Sequence, residues 1–196
     1  MASPSAMFAL ECEIPDTLDY LARTGDEETQ SVVVRNFNTD FRTLMFLTDS
    51  PYLSVRSQIA FHDNITDDIV EKLSKDSAPE VLTSLAMVST TPEEILEELA
   101  HNSNRLVRYA LTRNPATPAS ALEVIANSES SSMILLNIAR HKNSNQKTLE
   151  KLSQAHQHSI RIAVVKNIST MFHVLEKMTR DPAKDIANIA VSRTTA

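Results

Sequence analysis

Residues 96–118 read LEELAHNSNRLVRYALTRNPATP, and the rest of the chain repeats this stretch. It holds two apolar pairs of different spacing. Leu96 and Leu99 are three apart, and Val107 and Leu111 are four apart, so each pair lies on one side of a helix. Working outward, the first pair recurs as Leu18/Leu21, Leu44/Leu47, Val70/Leu73, Leu122/Ile125, Leu149/Leu152 and Leu175/Met178. Successive first members lie 26 residues apart, except for one gap of 27. The second pair recurs as Thr29/Val33, Val55/Ile59, Val81/Leu85, Ile134/Ile138, Ile160/Val164 and Ile186/Ala190. A period of this size marks a two-helix unit that cannot bury its apolar face alone and stacks on its neighbours. The expectation is an all-α solenoid of about seven 26-residue two-helix repeats.

The composition agrees. A single Gly excludes hairpins, phosphate loops and a dinucleotide-binding turn, which need several. Apolar residues make up 42% of the chain, aromatics only 5%, and Trp is absent, which suits a core of stacked aliphatic helices. Small residues follow each Leu pair (Ala22, Thr48, Ser74, Ala100, Ala126, Ser153, Thr179) and let the next helix approach closely. The first helix of each repeat is expected to open at Thr91-Pro92-Glu93-Glu94 and Thr117-Pro118, with Thr capping free amides. Thr39, Ser144 and Thr170 hold the same place elsewhere. The one extra residue is expected in a loop at 127–132.

The stretch at 96–118 resembles the leucine-rich repeat variant family, whose pattern is roughly Leu-x-x-Leu-Ala, a polar turn, Val-Arg, then Asn-Pro-x-Thr-Pro. The resemblance is close there, good at 44–64 and 149–170, and loose elsewhere. It implies a right-handed superhelix of paired short helices, a right-handed α-solenoid related in style to HEAT repeats. One described member type carries a cysteine-rich iron–sulfur module ahead of its repeats. Cys12, the only cysteine here, could ligate no such cluster, so the resemblance carries a fold and no active site.

Met7–Ile14 is short and apolar, so residues 1–13 are read as a leader or cap and 14–196 as one repeat domain. The last repeat leaves Ile186, Ile189 and Val191 without an obvious cover. Either Asn188 and Lys184 make that face partly polar, or it joins a second copy in a homodimer. No secretory signal and no membrane-length apolar run is present, and a cytoplasmic protein is expected.

No catalytic motif is present: no GxSxG, no HExxH, no phosphate loop. His62 and His141 stand at equivalent places several repeats apart, and His156 and His158 flank a turn without a third ligand, so no metal is expected. The reading is a non-enzyme with no catalytic, cofactor or metal residues. Asn36, Asn114 and Asn167 close the second helix, where Asn tolerates left-handed geometry. Arg56, Arg108 and Arg161 flank the core column and have two readings: a ladder for phosphate or carboxylate, or stems packed between repeats with heads on turn groups. Acids fill the exposed side of the first helices (Asp19, Glu71, Glu97, Glu123, Glu150, Glu176), consistent with a solvated face.

The far side of the second helices departs from that polar pattern. Phe61, Met87, Tyr109, Leu136 and Ile162 stand where polar residues suffice, beside Arg113, Arg140 and Lys166. An apolar strip rimmed by charge marks an interaction surface. The expected partner is a protein or peptide with acidic and apolar residues. A nucleic-acid-binding HEAT-like solenoid is the rival, opposed by the net charge of −6 and the few cations; a structural or assembly role is the third option.

Overall fold

The computed structural model describes residues 3–195; the first two residues of the expected leader and the final Ala196 lie outside them. Fifteen helices and no strand occur among the described residues. They are packed as stacked two-helix repeats of an α-solenoid, in two compact units, 1–95 and 96–196.

The first unit begins with α1 (Pro4–Glu11), followed by the pairs α2 (Pro15–Thr24) with α3 (Glu27–Arg35), α4 (Phe41–Leu47) with α5 (Leu53–Ile59), and α6 (Asp67–Ser74) with α7 (Pro79–Met87). Its second helices pack in series, α1 on α3, α3 on α5 and α5 on α7. The apolar stretch at Met7 is a helix in the second-helix row, burying Ala6 and Ala9 and turning Met7, Phe8 and Leu10 outward. The division falls within α8 (Glu93–Leu99).

The second unit continues with α9 (Arg105–Leu111), α10 (Ala119–Ser128) with α11 (Ser132–Arg140), α12 (Gln146–Ser153) with α13 (His158–Lys166), and α14 (Phe172–Met178) with α15 (Lys184–Thr195). First helices pack on first helices (α10 on α12, α12 on α14), and second on second (α11 on α13, α13 on α15). All seven Leu-type pairs and both second-helix columns are buried, as the period requires. The extra residue is taken up largely by α10, which runs on to Ser128 and leaves only residues 129–131 between helices. Ile186 points inward and is fully buried, while Ile189 is half-buried and Val191 half-exposed, so the terminal face is less apolar than expected.

Two polar columns act differently from the sequence expectation. The Thr and Ser residues ahead of the first helices do not cap them. Thr39, Thr91, Thr117, Ser144 and Thr170 each donate the hydroxyl backwards, to the carbonyls of Val33, Leu85, Leu111, Ile138 and Val164, at 2.6–2.7 Å. Each thereby adds a second donor to a carbonyl in the last turn of the preceding helix, which also accepts the amide three residues on. Capping passes to the next residue where that is Asp40 or Asn145, whose side chains accept from the amides of Thr43 and Thr148.

The Asn and His column also works without left-handed backbone, since no described residue has positive φ. Asn36 and Asn167 are extended, accept the amide two residues on, and donate to carbonyls one repeat back. Asn36 reaches Ala9 and Cys12 at 2.8 Å, and Asn167 reaches Ala139 at 2.8 Å and His141 at 3.0 Å. His62 and His141 do the same work: Nε2 donates to the carbonyl of Asn36 or Asn114, and Nδ1 accepts from the amide of Asn64 or Asn143. The column is an inter-repeat staple, and it fixes the register of successive second helices.

The single glycine serves close approach. Gly25 has φ −83°, but a Cβ there would lie 2.6 Å from the Leu21 carbonyl oxygen and from the Thr29 side chain. Gly25→Ala is expected to cost about 1–3 kcal/mol through overpacking. Urea unfolding would register this; an unchanged midpoint would mean that the turn relaxes freely.

Candidate binding surface

Two sets of basic residues on or just after the second helices have opposite environments. In the column beside the core valines, Arg56 donates from Nε to Asp76 at 2.6 Å and from Nη1 to the Ser50 carbonyl at 2.8 Å. Arg108 bonds the carbonyls of Asn102 and Ser103 and the Glu129 carboxylate. Arg161 bonds the carbonyls of Ala155 and His156 and both oxygens of Asp181. Each acid also accepts backbone amides of the turn before the following second helix: Ala78 on Asp76, Ser130 and Ser131 on Glu129, Ala183 on Asp181.

Burial pushes the Glu129 and Asp181 carboxyls up. Hydrogen bonds from Arg108 and Arg161 and from these turn amides outweigh it, and both stay below the usual carboxylate range. This column is structural. Gln30 is its neutral version, donating to the Ala22 carbonyl and accepting from Ser50 Oγ.

The second group ends or follows the second helices of the second unit. Arg113, Arg140 and Lys166 are exposed, and among the described residues none of them forms an ion pair. Arg113 and Arg140 line one open cleft of about 370 Å³, together with Thr112, Pro115, Asn137 and Lys142. No carboxylate lines it. The residue after each cation belongs to the staple column, so the three stand in the register set by the bonds His141 to Asn114 and Asn167 to His141.

The apolar members of the strip differ in exposure. Phe61 and Met87, in the first unit, are 56% and 58% exposed and share a cleft of about 380 Å³ with Ile65 and Val88. Tyr109, Leu136 and Ile162, in the second unit, are half-buried. Of the five apolar residues expected on the outer side of the second helices, only Phe61 and Met87 are exposed.

Sequence reasoning missed Phe37 and Lys142, at the place just after the staple column. Phe37 is 77% exposed and shares a second cleft with Phe61 and Arg35. Reading that place as a turn concealed the signal, which is a large side chain where a short one suffices.

The acidic side of the first helices is solvated and self-paired. Asp19 holds Arg23, and Glu71 holds Lys75, each one turn away, while Glu123 meets Lys147 and Glu150 meets Lys177 one repeat on. No group of His, Cys, Asp and Glu among the described residues could hold a metal ion. No described helix is long and apolar enough to cross a membrane.

No protein-family model matches the chain, and no curated protein matches it. Among solved structures it is similar to one described as a leucine-rich repeat variant with a novel repetitive structural motif, at 17% identity and a TM-score of 0.49, covering 91% of this chain and 81% of that one. It is also similar to a designed armadillo repeat protein, at 14% identity and a TM-score of 0.33, covering 98% of each. An engineered protein matches at 14% identity and a TM-score of 0.30, covering 98% of this chain and 96% of that one.

Proposed function

We propose that this chain is a non-catalytic scaffold that binds protein or peptide segments bearing acidic and apolar residues on the outer face of its second helices. The observation that carries the reading is the contrast between two arginine sets. Arg56, Arg108 and Arg161 are each held by a carboxylate and by backbone carbonyls, whereas Arg113 and Arg140 share a cleft without any carboxylate. Cations at helix C-termini gain something from the dipole, but only about 0.3–1 kcal/mol each, which leaves their charge available to a ligand. Within the first unit, Phe61 and Met87 offer apolar anchorage; within the second, the cations would select acids and speed encounter.

The test is a labelled peptide rich in Glu and Leu, titrated by fluorescence anisotropy against wild type and Arg113→Glu/Arg140→Glu. Binding should weaken at least about tenfold, roughly 1.4 kcal/mol, with the melting temperature unchanged. A fall in melting temperature would assign both residues to structure. Tight binding of duplex DNA with steep salt dependence would replace this reading with the nucleic-acid one.

A further inference from the structure

The cations of the second unit are spaced by the fold, and a segment that pairs with them in turn has to match that spacing. Arg113, Arg140 and Lys166 recur once per repeat, at or just after the ends of second helices that His141 and Asn167 tie together. Packed helices lie about 8–10 Å apart, so neighbouring cations are separated by about that distance at their helix ends. In a polyproline II strand, three residues make one turn with a rise of about 3.1 Å each, so every third side chain falls on one face about 9.3 Å apart. A β-extended strand alternates faces and puts same-face side chains about 7 Å apart, short of the repeat. An α-helix matches only at every seventh residue, about 10.5 Å of rise, and keeps its backbone groups to itself.

The cleft favours a ligand with free backbone groups. Asn137 lines it together with the two arginines and spends one amide hydrogen on Thr112 Oγ1 at 3.1 Å. Its carbonyl oxygen and its second amide hydrogen suit a peptide group, which offers one donor and one acceptor. The absence of any carboxylate in the lining gives the charge complementarity.

We propose that the second unit binds a segment in polyproline II conformation carrying carboxylates at every third residue, paired in turn with Arg113, Arg140 and Lys166. This rests on the binding role proposed above, and it fixes the geometry that the role leaves open.

The experiment uses the full chain and synthetic polyproline-based peptides of equal length with four glutamates each, spaced two, three or four residues apart. Two further arms are an alanine-rich helical peptide with acids seven apart and a single-stranded oligonucleotide. The three-residue spacing should bind at least about tenfold more tightly than the others, and Arg140→Gln, which removes the middle charge, should erase that preference. Equal affinity at all spacings would overturn the register while leaving acidic-segment binding intact. Preference for the helical peptide would overturn the conformation. If only the oligonucleotide bound, the protein-binding reading would fall as well.

Discussion

Replacing Leu122 with Ala is expected to lower the free energy of unfolding by about 3 kcal/mol, within the range of about 2–5 found for buried leucines. Leu122 is fully buried at the junction of α10 with α11 and α12. Truncation would remove apolar contacts there and leave a cavity that short helices, each tied to neighbours on two sides, close only in part. In a repeat array such a defect weakens the interfaces with the adjoining repeats as well as its own. Leu106 is the matched control. It is 64% exposed on α9, and Leu106→Ala should change stability by less than about 0.5 kcal/mol. Urea unfolding of both variants, followed by helical circular dichroism, would show this; equal losses would contradict the assignment of Leu122 to the shared core.

The difference between these two leucines was legible in the sequence, because apolar side chains act through periodicity and the period here is nearly unbroken. Polar columns were visible as columns, but their partners were not. Thr91 stands where a helix cap belongs, yet its hydroxyl goes to Leu85, six residues back across a turn. Asn167 looks like a turn residue and spends its amide on Ala139 and His141 of the preceding repeat. A hydrogen bond across 26 or more residues leaves no local pattern to read. The arginine column is the exception, since one of its two readings already put the heads on turn groups. Arg56, Arg108 and Arg161 are answered by Asp76, Glu129 and Asp181, while Leu135 has Ala155 at the corresponding turn place. For the apolar strip, helical geometry gave the direction of each side chain. How far a neighbouring helix covers it depends on packing, which is why Phe61 projects and Leu136 does not.

That exchange of charge for apolar contact leads to the second large effect. Asp181→Ala should destabilise the protein by about 3 kcal/mol at neutral pH, since it leaves the Arg161 guanidinium largely buried with only the carbonyls of Ala155 and His156. It also strips the Ala183 amide of its acceptor. The pH dependence has a definite sign. Burial acts to raise the Asp181 carboxyl, but Arg161, the Ala183 amide and the nearby charges prevail, so its folded value is depressed. A depressed carboxyl contributes stability that is complete above the unfolded value, about 3.9, and is lost as pH falls through the folded one. Wild type should therefore stand above Asp181→Asn at pH 7 and converge on it as pH drops below about 4. A constant gap down to acid pH would show that the charge is not what matters. The double change Arg161→Leu/Asp181→Ala should recover much of the loss, because it rebuilds at this junction the Leu and Ala that the same fold already carries at 135 and 155. Removing one charge of the pair strands the other, whereas removing both leaves an ordinary apolar junction.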